Sequence, residues 1–466
     1  MIDPEADRPA PAPARSRLAY PEDGGRDRRL DLLRGYALAA MSINHFGLSN
    51  SYLHTLSGRS QFLVSAAEAF LFISGFTLGY ITIGRTPEQS TDRLSRRTWT
   101  VYLSTVGVSV GLGIVALTTN LLLWGELEAG AYPSVWAWLG GVVTMREAFN
   151  GADILIAYVV YLAIAIAALR LMTRGRSWVV ITGTVGVYLL SRLAGAESMT
   201  LGFASFRALA PNAPLFFGGL LLGYHRHRVA ALWHAVPGRR ALDAALVVAA
   251  VALGWLYSQG WPATEWLGRP IAGPELSSPL GLREFEMPVV PLLVVFLYLR
   301  VGWIVVDALW VPIRSTLGWL FLPLGEASLF TFIMHLLAIP IVINLPWWPD
   351  EDLGRPAATF WVMLYLGVIY GAVLLRHRIV DWLRSGSVGG ASGAAGSGSP
   401  VAAAKAWTRR HGPAATVAGL LVLAALVGGS PSGAAGTWGA FEDGEFEDGE
   451  FEDEEFEDEE FEEPED

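Results

Sequence analysis

Two side chains that could do chemistry lie on one stretch of sequence, RRLDLLRGYALAAMSINHFG, at residues 28–47. Arg34 and His45 are eleven residues apart, about three turns of an α-helix, so they project from nearly the same face. Helical rise separates them by ~16 Å, about half the thickness of a bilayer's hydrocarbon core. The apolar residues around His45 predict a membrane helix, in which an ionisable imidazole is a functional candidate. The structural alternative is a hydrogen bond from His45 to a neighbouring helix.

A partner for His45 is predicted in the next apolar stretch, SAAEAFLFISGF. Glu68 would lie ~10 Å below the outer membrane boundary, and His45 would lie ~21 Å above the inner boundary of a ~30 Å core. Two antiparallel neighbouring helices would therefore bring the carboxylate and the imidazole to the same depth. A carboxylate on one ring nitrogen fixes the tautomer and leaves the other nitrogen as a base. The alternative is a structural ion pair that aids helix packing.

Other polar residues are candidates for ligand binding. In the loop RLSRR, Arg93 and Arg96 stand at i and i+3, so their guanidinium groups could clamp one phosphate-bearing ligand. Anchoring of the chain at the inner membrane surface would explain these arginines equally well. His335 lies near the middle of a later apolar stretch, where a role in chemistry and a helix–helix hydrogen bond are both open.

Several classes of site are excluded by the sequence. The chain has no cysteine and no metal-ligand spacing, so we expect no metal site. The glycines form no phosphate-binding or dinucleotide loop after a strand, which excludes soluble nucleotide-binding folds. No basic patch with interleaved aromatic residues indicates nucleic acid as a partner.

The elements that must position these residues are membrane helices. Only 17% of the residues are charged and the mean hydropathy is positive, as in polytopic membrane proteins. We predict an all-α transmembrane bundle with ten core spans and an eleventh, shorter span; Pro211 and Pro214 predict that the sixth is broken or tilted. The spans are predicted at residues 31–49, 62–84, 98–123, 153–171, 177–194, 213–224, 241–258, 287–306, 326–345, 357–376 and about 414–428.

Charge distribution predicts the orientation of this bundle. Eighteen of the 44 acidic residues lie in residues 442–466, and the remaining 26 face 33 basic residues, which leaves the first 441 residues with a net charge of +7. With the N-terminus inside, 26 of the 33 basic residues fall on the cytoplasmic side and 7 fall outside. This bias predicts a cytoplasmic N-terminus.

The chain divides into five predicted segments. Residues 385–412 are rich in Gly, Ser and Ala and have no capacity to bury a core. The last segment repeats FEDGE with Phe at every fifth position, a period that matches neither a helix face nor a strand face. It predicts a solvated, disordered tail, with cation binding or partner docking as alternatives. The segments are a disordered cytoplasmic leader (1–26), a membrane domain (27–380), a linker (385–412), an extra transmembrane helix (413–429) and the acidic tail (430–466).

Four segments of the chain carry a resemblance to a known family. RRLDLLRGYALAAMSINH, SAAEAFLFISGF, RLSRR and LGEASLFTFIMHLL closely resemble the OpgC family, and the resemblance covers roughly residues 26–380. That family resembles a branch of the membrane acyltransferase family 3 superfamily, which has an arginine–ten residues–histidine motif in its first span. Arg34 and His45 match this motif, and Arg93 with Arg96 match its inner-loop arginine pair. The eleventh span and the acidic repeat are departures from the family pattern.

The resemblance implies a membrane O-acyltransferase in the inner (cytoplasmic) membrane. It would move an acyl group, which is succinyl in the family's named activity, from cytoplasmic acyl-CoA to a hydroxyl of a periplasmic or cell-surface glucan. His45 would be the general base, with Glu68 orienting its ring, and a transient acyl-histidine is the alternative route. The residues implied in substrate binding or oxyanion stabilisation are Arg34, Arg93, Arg96, Asn44, Ser74 and His335.

The predicted partners are the acyl-CoA donor, the carbohydrate acceptor and the lipid bilayer, without a bound cofactor. A transporter or flippase is the competing hypothesis, in which His45, Glu68 and His335 would relay protons or bind substrate. The sequence shows no convincing repeat between its two halves, which counts mildly against a transporter.

Overall fold

The structure, a computed structural model, describes residues 18–20, 26–48, 50–57, 65–83, 85–118, 134–147, 152–194, 206–258, 289–346, 348 and 353–385. Regular secondary structure within these residues is entirely helical, which confirms the all-α class. The helices are α1 (Arg28–His45), α2 (Tyr52–Ser57), α3 (Ala66–Thr82), α4 (Pro87–Thr118), α5 (Val135–Val143), α6 (Asp153–Thr173), α7 (Ser177–Ala194), α8 (Phe206–Tyr224), α9 (Arg226–Ala235), α10 (Arg239–Ser258), α11 (Val289–Ala308), α12 (Trp310–Thr316), α13 (Gly318–Glu326), α14 (Ser328–Ile343) and α15 (Arg355–Ser385).

Helix α1 lies at the centre of the described bundle. Asp27 caps its start by accepting a hydrogen bond from the Arg29 backbone N–H, and Gly47 follows its end with a φ of 80°. The sequence therefore marks both ends of the helix. Every residue from Ala37 to Ile43 is buried, because α3, α11, α13, α14 and α15 all pack against α1.

The contact between α1 and α13 brings two backbones together. A Cβ added at Gly35 would lie 1.9 Å from the Phe321 carbonyl oxygen, and one added at Gly325 would lie 1.8 Å from the Asp31 carbonyl oxygen. Only glycine fits at these two positions, so the pair fixes how closely α13 approaches the helix that carries Arg34 and His45.

Helices α3 and α8 are packed in the same way. Gly75 and Gly79 of α3 face Gly219 and Gly223 of α8, and a Cβ added at any of the four would lie 2.0–2.4 Å from a backbone oxygen of the other helix. Both sequences have the Gly-x-x-x-Gly spacing that places small residues on one face of a membrane helix. This contact fixes α3, which contributes one wall of the site described below.

The predicted count of ten or eleven membrane spans is not supported, although each of the ten predicted core spans overlaps a helix. Among the described residues, three helices are long and apolar enough to cross a membrane, and they are α4, α6 and α15. The count rises to five if each of two bent pairs forms one span. These pairs are α11 with α12, bent by 90°, and α13 with α14, bent by 100°.

The differences between the predicted spans and the observed helices have local causes. Helix α1 carries charged residues at 28, 29, 31 and 34, whereas α3 and the apolar part of α7, Ser177–Ser191, are short. The helix of the predicted ninth span, α14, is only 16 residues long and begins directly after the bend at Ala327. The predicted sixth span is part of a longer helix, α8, which continues through Pro211 and Pro214 without the predicted break.

The predicted segments at the two ends of the chain fall mostly outside the described residues. In the leader, residues 18–20 lie against the junction of α11 and α12, where the Tyr20 N–H donates to the Asp307 carbonyl and the Val311 N–H donates to the Leu18 carbonyl, both at 3.0 Å. The linker beyond Ser385, the extra helix at 413–429 and the tail at 430–466 lie outside the description.

Candidate active site

Arg34 and His45 lie at different depths on α1 and meet different neighbours. Arg34 is in the second turn and is 8% exposed, whereas His45 is the last residue of the helix and is half-buried. The helical rise between them is ~16 Å. The candidate site therefore has two parts, one at each residue.

The first part is a cavity of about 170 Å³ between α1, α3, α4 and α6. Its polar lining consists of four arginines and five hydroxyl-bearing residues, namely Arg34, Arg85, Arg93, Arg97, Ser74, Thr77, Thr82, Ser90 and Tyr158. We call it the arginine cavity. None of its described lining residues is acidic, so the guanidinium groups have no carboxylate beside them in the lining. Such a wall suits a ligand with several negative charges.

Arg34 is held in this cavity with hydrogen-bonding capacity to spare. One of its terminal nitrogens donates to Thr77 Oγ1 at 2.6 Å, and the Thr77 hydroxyl in turn donates to the Ile73 carbonyl at 2.7 Å. The Arg34 Nε is buried and has no hydrogen-bond partner among the described residues. A buried donor that makes no hydrogen bond is costly, and an anionic oxygen in the cavity would remove that cost.

Helix α4 contributes two arginines to the lining of the cavity, Arg93 and Arg97, whereas the sequence predicted Arg93 and Arg96. Arg97 donates from Nε and from a terminal nitrogen to the Tyr158 hydroxyl, at 3.3 and 3.1 Å. Arg93 and Arg97 are four residues apart and share a helix face, and both line the cavity. Arg96 is exposed and is not among the lining residues.

The second part of the site is a pair of histidines. His45 Nδ1 lies 3.1 Å from Nε2 of His335, which is on α14, and the ring centroids are 5.2 Å apart. His335 is 1% exposed. The two residues are 290 positions apart in the chain, and the packing of α14 against α1 brings them together.

Aromatic residues of α15 and α14 pack around this histidine pair. The Tyr365 hydroxyl donates to the His335 carbonyl oxygen at 2.9 Å. The Tyr365 ring stacks on Phe46, the residue after His45, with centroids 4.4 Å apart and an interplanar angle of 5°. Phe332 meets the His335 ring edge-on at 4.6 Å. Both imidazoles are therefore positioned by packed aromatic residues.

Glu68 and Asn44 take part in local structure. The Glu68 carboxylate accepts a hydrogen bond from the Ser65 backbone N–H at 2.9 Å, which caps the start of α3. The Asn44 side-chain oxygen accepts from the Ser57 hydroxyl, which ties α1 to α2. The pairing of Glu68 with His45 stays a prediction.

Charged contacts fix the first turn of α1. Arg29 makes ion pairs with Asp27 and Asp307 and lies between the rings of Tyr20 and Trp303, 4.3 and 4.2 Å from their centroids. These contacts join the leader, α1 and α11. Just before the helix, the Arg26 guanidinium donates a hydrogen bond to Asp31 Oδ1 at 2.6 Å, which raises the pKa of Arg26, so that this group stays charged.

Sequence reasoning placed Arg34, Ser74 and Arg93 in a common site, and the structure brings these three together in the arginine cavity. Sequence reasoning missed Arg85, Arg97 and the hydroxyl-bearing residues beside them. The signal for Arg97 was its i+4 spacing from Arg93, which fits a helix face as well as i+3 does. The contact of His45 with His335 had no signal in the local sequence.

The described residues contain no group of three or more His, Cys, Asp or Glu side chains that could hold a metal ion. In comparisons with known proteins, a family model described as OpgC protein matches residues 26–379, well over half of the chain. Neither a curated protein nor a solved structure matches the chain.

Proposed function

The chain belongs to the OpgC family, and on this premise we propose that it is a membrane O-acyltransferase. It moves an acyl group, with succinyl as the first candidate, from cytoplasmic acyl-CoA to a hydroxyl of a periplasmic or cell-surface glucan. The observation that carries the proposal is the arrangement on α1, where a buried arginine in a cationic cavity and a histidine in contact with a second histidine are separated by three helical turns.

The arginine cavity is the proposed site for the phosphates of the donor. Coenzyme A carries several phosphate groups, and guanidinium groups bind phosphate oxygens through charge-assisted, often bidentate hydrogen bonds. Arg34, Arg93 and Arg97 line the cavity together, and Arg34 Nε is a buried donor without a hydrogen-bond partner among the described residues. Arg96 is proposed to contact the part of the donor that remains outside the cavity.

The separation between the cavity and the histidines suits an extended donor. From Arg34 to His45 the helix rises ~16 Å, a distance of the order of the extended pantetheine arm. With its phosphates at Arg34, the donor would run along α1 and present its thioester near His45. Ser74 lines the cavity beside Arg34 and is proposed to bind the donor there.

The chemistry proposed for His45 is general base catalysis. His45 takes the proton of the acceptor hydroxyl, the oxygen attacks the thioester carbonyl, and the carbon–sulfur bond breaks to release the coenzyme A thiolate, which receives the proton. A transient acyl-histidine is the second route. Asn44 is proposed to contribute to oxyanion stabilisation, and Glu68 to act on His45 from the start of α3.

The orientation of the chain in the membrane is part of the same proposal. The chain is a membrane protein, judged by its family and its apolar helices. We propose that it resides in the inner membrane with its N-terminus in the cytoplasm. The basic residues concentrated on one side support this orientation.

Mass spectrometry of surface glycans from cells with and without the protein tests this function. We expect a mass difference of one acyl group on the glycans, which would identify the acyl group and the acceptor together. The variant His45→Ala should insert in the membrane and lose the modification, because removal of a general base typically costs 10²–10⁴-fold in rate, as an order of magnitude. Glycans of identical mass in all three samples would contradict the proposal.

A transporter or flippase remains the second candidate, and the two bent helix pairs favour it. Bends of 90° and 100° at short breaks are the kind of discontinuity found at transporter binding sites. A transporter would move glycan or lipid across the membrane without acyl-CoA. Glycan transport that is unchanged in the variant Arg93→Ala, together with no acyl modification in the wild type, would favour this second candidate.

A further inference from the structure

His335 is a buried histidine whose role the proposed chemistry leaves open. We propose that it is a positioning residue for His45: its Nε2 accepts the hydrogen on His45 Nδ1, so that His45 carries its lone pair on Nε2 and acts as base through that atom. The inference deepens the proposed function and rests on it for the catalytic step. The arrangement of hydrogens on the two rings can be tested without it.

The separation of the two rings requires one donor and one acceptor. At 3.1 Å, His45 Nδ1 and His335 Nε2 are at the usual N–H···N distance. Each neutral imidazole has one nitrogen that donates and one that accepts. A hydrogen between these two nitrogens therefore belongs to only one ring, and the ring that carries it determines which nitrogen of His45 can act as a base.

The proposed base chemistry decides the direction. Because His45 Nδ1 faces His335 Nε2, the atom of His45 that takes the proton of the acceptor hydroxyl is Nε2. A base needs a lone pair at that atom, so the His45 hydrogen is on Nδ1. His335 Nε2 is then the acceptor and His45 Nδ1 the donor.

The surroundings of His335 make it a stable acceptor. The residue is 1% exposed, Phe332 packs edge-on against its ring, and Tyr365 holds its backbone carbonyl through the hydrogen bond at 2.9 Å. A neutral imidazole in this place orients His45 without a buried negative charge, which would be costly inside a membrane.

The pair also supports the reaction step. When the acceptor O–H bond breaks, the new N–H bond forms at His45 Nε2, and positive charge develops on the His45 ring. The hydrogen bond from His45 Nδ1 to His335 then becomes charge-assisted and stronger, so His335 stabilises the charge that appears in the transition state. The proton leaves His45 Nε2 for the departing thiolate, and both rings return to their starting state.

Two substitutions at His335 separate positioning from proton transfer. In His335→Gln the side-chain carbonyl can accept the His45 hydrogen but cannot take up a proton, whereas His335→Leu offers no acceptor. With purified protein in detergent, we expect kcat to fall about 10- to 100-fold in His335→Leu, by analogy with the loss of other orienting partners, with an unchanged KM for acyl-CoA. His335→Gln should keep most of the activity.

The matched control is His377→Gln on α15, a histidine that is not part of the site, which should leave kcat unchanged. Elution volume and thermal midpoint of each variant would report whether it is folded. Wild-type kcat in His335→Leu would overturn the inference. Equal losses in His335→Gln and His335→Leu would overturn it too, because His335 would then supply more than an acceptor.

Nitrogen-15 NMR of protein labelled at histidine gives a readout that does not depend on activity. We expect the His45 signals, assigned with His45→Gln, to show a hydrogen on Nδ1 and none on Nε2, and this state to change in His335→Leu. A hydrogen on His45 Nε2 in the wild type would overturn the inference even if acyl transfer occurs. If the protein shows the expected signals but transfers no acyl group, the hydrogen bond from His45 to His335 is supported and the proposed function is contradicted.

Discussion

The arginines of the cavity differ in their surroundings, and this sets what each can contribute to binding. Arg34 is 8% exposed and is bonded to Thr77, so it binds in a desolvated place where charge-assisted hydrogen bonds are strong. Arg93 and Arg97 on α4 are exposed by comparison, and Arg97 is held by Tyr158. Their contribution to phosphate binding is correspondingly smaller, because solvent screens it.

Single alanine substitutions on α4 test which arginines hold the donor. We expect Arg93→Ala and Arg97→Ala each to weaken acyl-CoA binding by about tenfold, since the loss of one charge-assisted hydrogen bond of about 1.4 kcal/mol has that effect. Titration calorimetry with purified protein measures it. Arg96→Ala is the matched variant, with the same charge change on an exposed side chain outside the lining, and we expect a smaller loss of affinity there, because solvent screens its contact with the donor. Equal losses at Arg96 and Arg97 would favour the pair predicted from the sequence.

Only one member of the histidine pair could be related to the rest of the site from the sequence. The distance of eleven residues on one helix was enough to relate Arg34 to His45, because helical rise and period are fixed by the backbone. Glu68 was predicted as a partner because two antiparallel helices would bring it to the same depth as His45, and this pairing stays a prediction. The structure brings His335 from α14 to His45, and no local pattern encodes a contact across 290 residues.

At the scale of helices, the glycine contacts decide how the site is assembled. Arg34 and Thr77 are bonded across α1 and α3, so the position of α3 is part of the cavity. That position depends on the contact of Gly75 and Gly79 with α8, where a Cβ has no room. The Gly-x-x-x-Gly spacing was present in the sequence, but its partner helix could be identified only from the packing.

Gly79→Ala tests this contact. Its Cβ would lie 2.2 Å from the Leu220 carbonyl oxygen, so α3 and α8 must move apart, at a cost of about 1–3 kcal/mol as for other overpacked cores. We expect a lower thermal midpoint in detergent and weaker acyl-CoA binding. Gly183→Ala, on α7, has no atom within 4 Å of the new Cβ and should leave the midpoint unchanged or raise it, since Ala is the better helix former. Equal midpoints in the two variants would contradict the role given to the glycines.

The helix bends were harder to predict than the helices themselves. Apolar stretches locate the helices because backbone groups must be satisfied internally in lipid. The break at Ala327, where α13 turns by 100° into α14, carries no proline or glycine at the bend itself. It is stabilised by the Thr331 hydroxyl, which donates to the Leu324 carbonyl at 2.9 Å across the break. Such a contact depends on the folded arrangement of both helices.

For the whole molecule, the absence of cysteine makes the proposed orientation directly testable. Single cysteines at exposed positions between helices report the side on which they lie. With the N-terminus inside, Asn50→Cys, after α1, should react with a membrane-impermeant maleimide on intact cells. Arg176→Cys, between α6 and α7, should react only after the membrane is opened. The reverse pattern would contradict both the orientation and the approach of acyl-CoA from the cytoplasm.

Removal of the residues after Ser385 tests how much of the chain the chemistry needs. The arginine cavity, the histidine pair and Tyr365 lie before residue 366, and the family match ends at residue 379. A chain that stops after Ser385 loses 18 of the 44 acidic residues with the tail, yet it keeps every side chain assigned to the site. We therefore expect its rate of acyl transfer, measured by release of coenzyme A, to equal that of the full chain. A second truncation after Ala440 removes the acidic repeat alone. Loss of activity in both truncations would mean that the repeat contributes to catalysis, whereas loss only in the shorter chain would assign that contribution to residues 386–440.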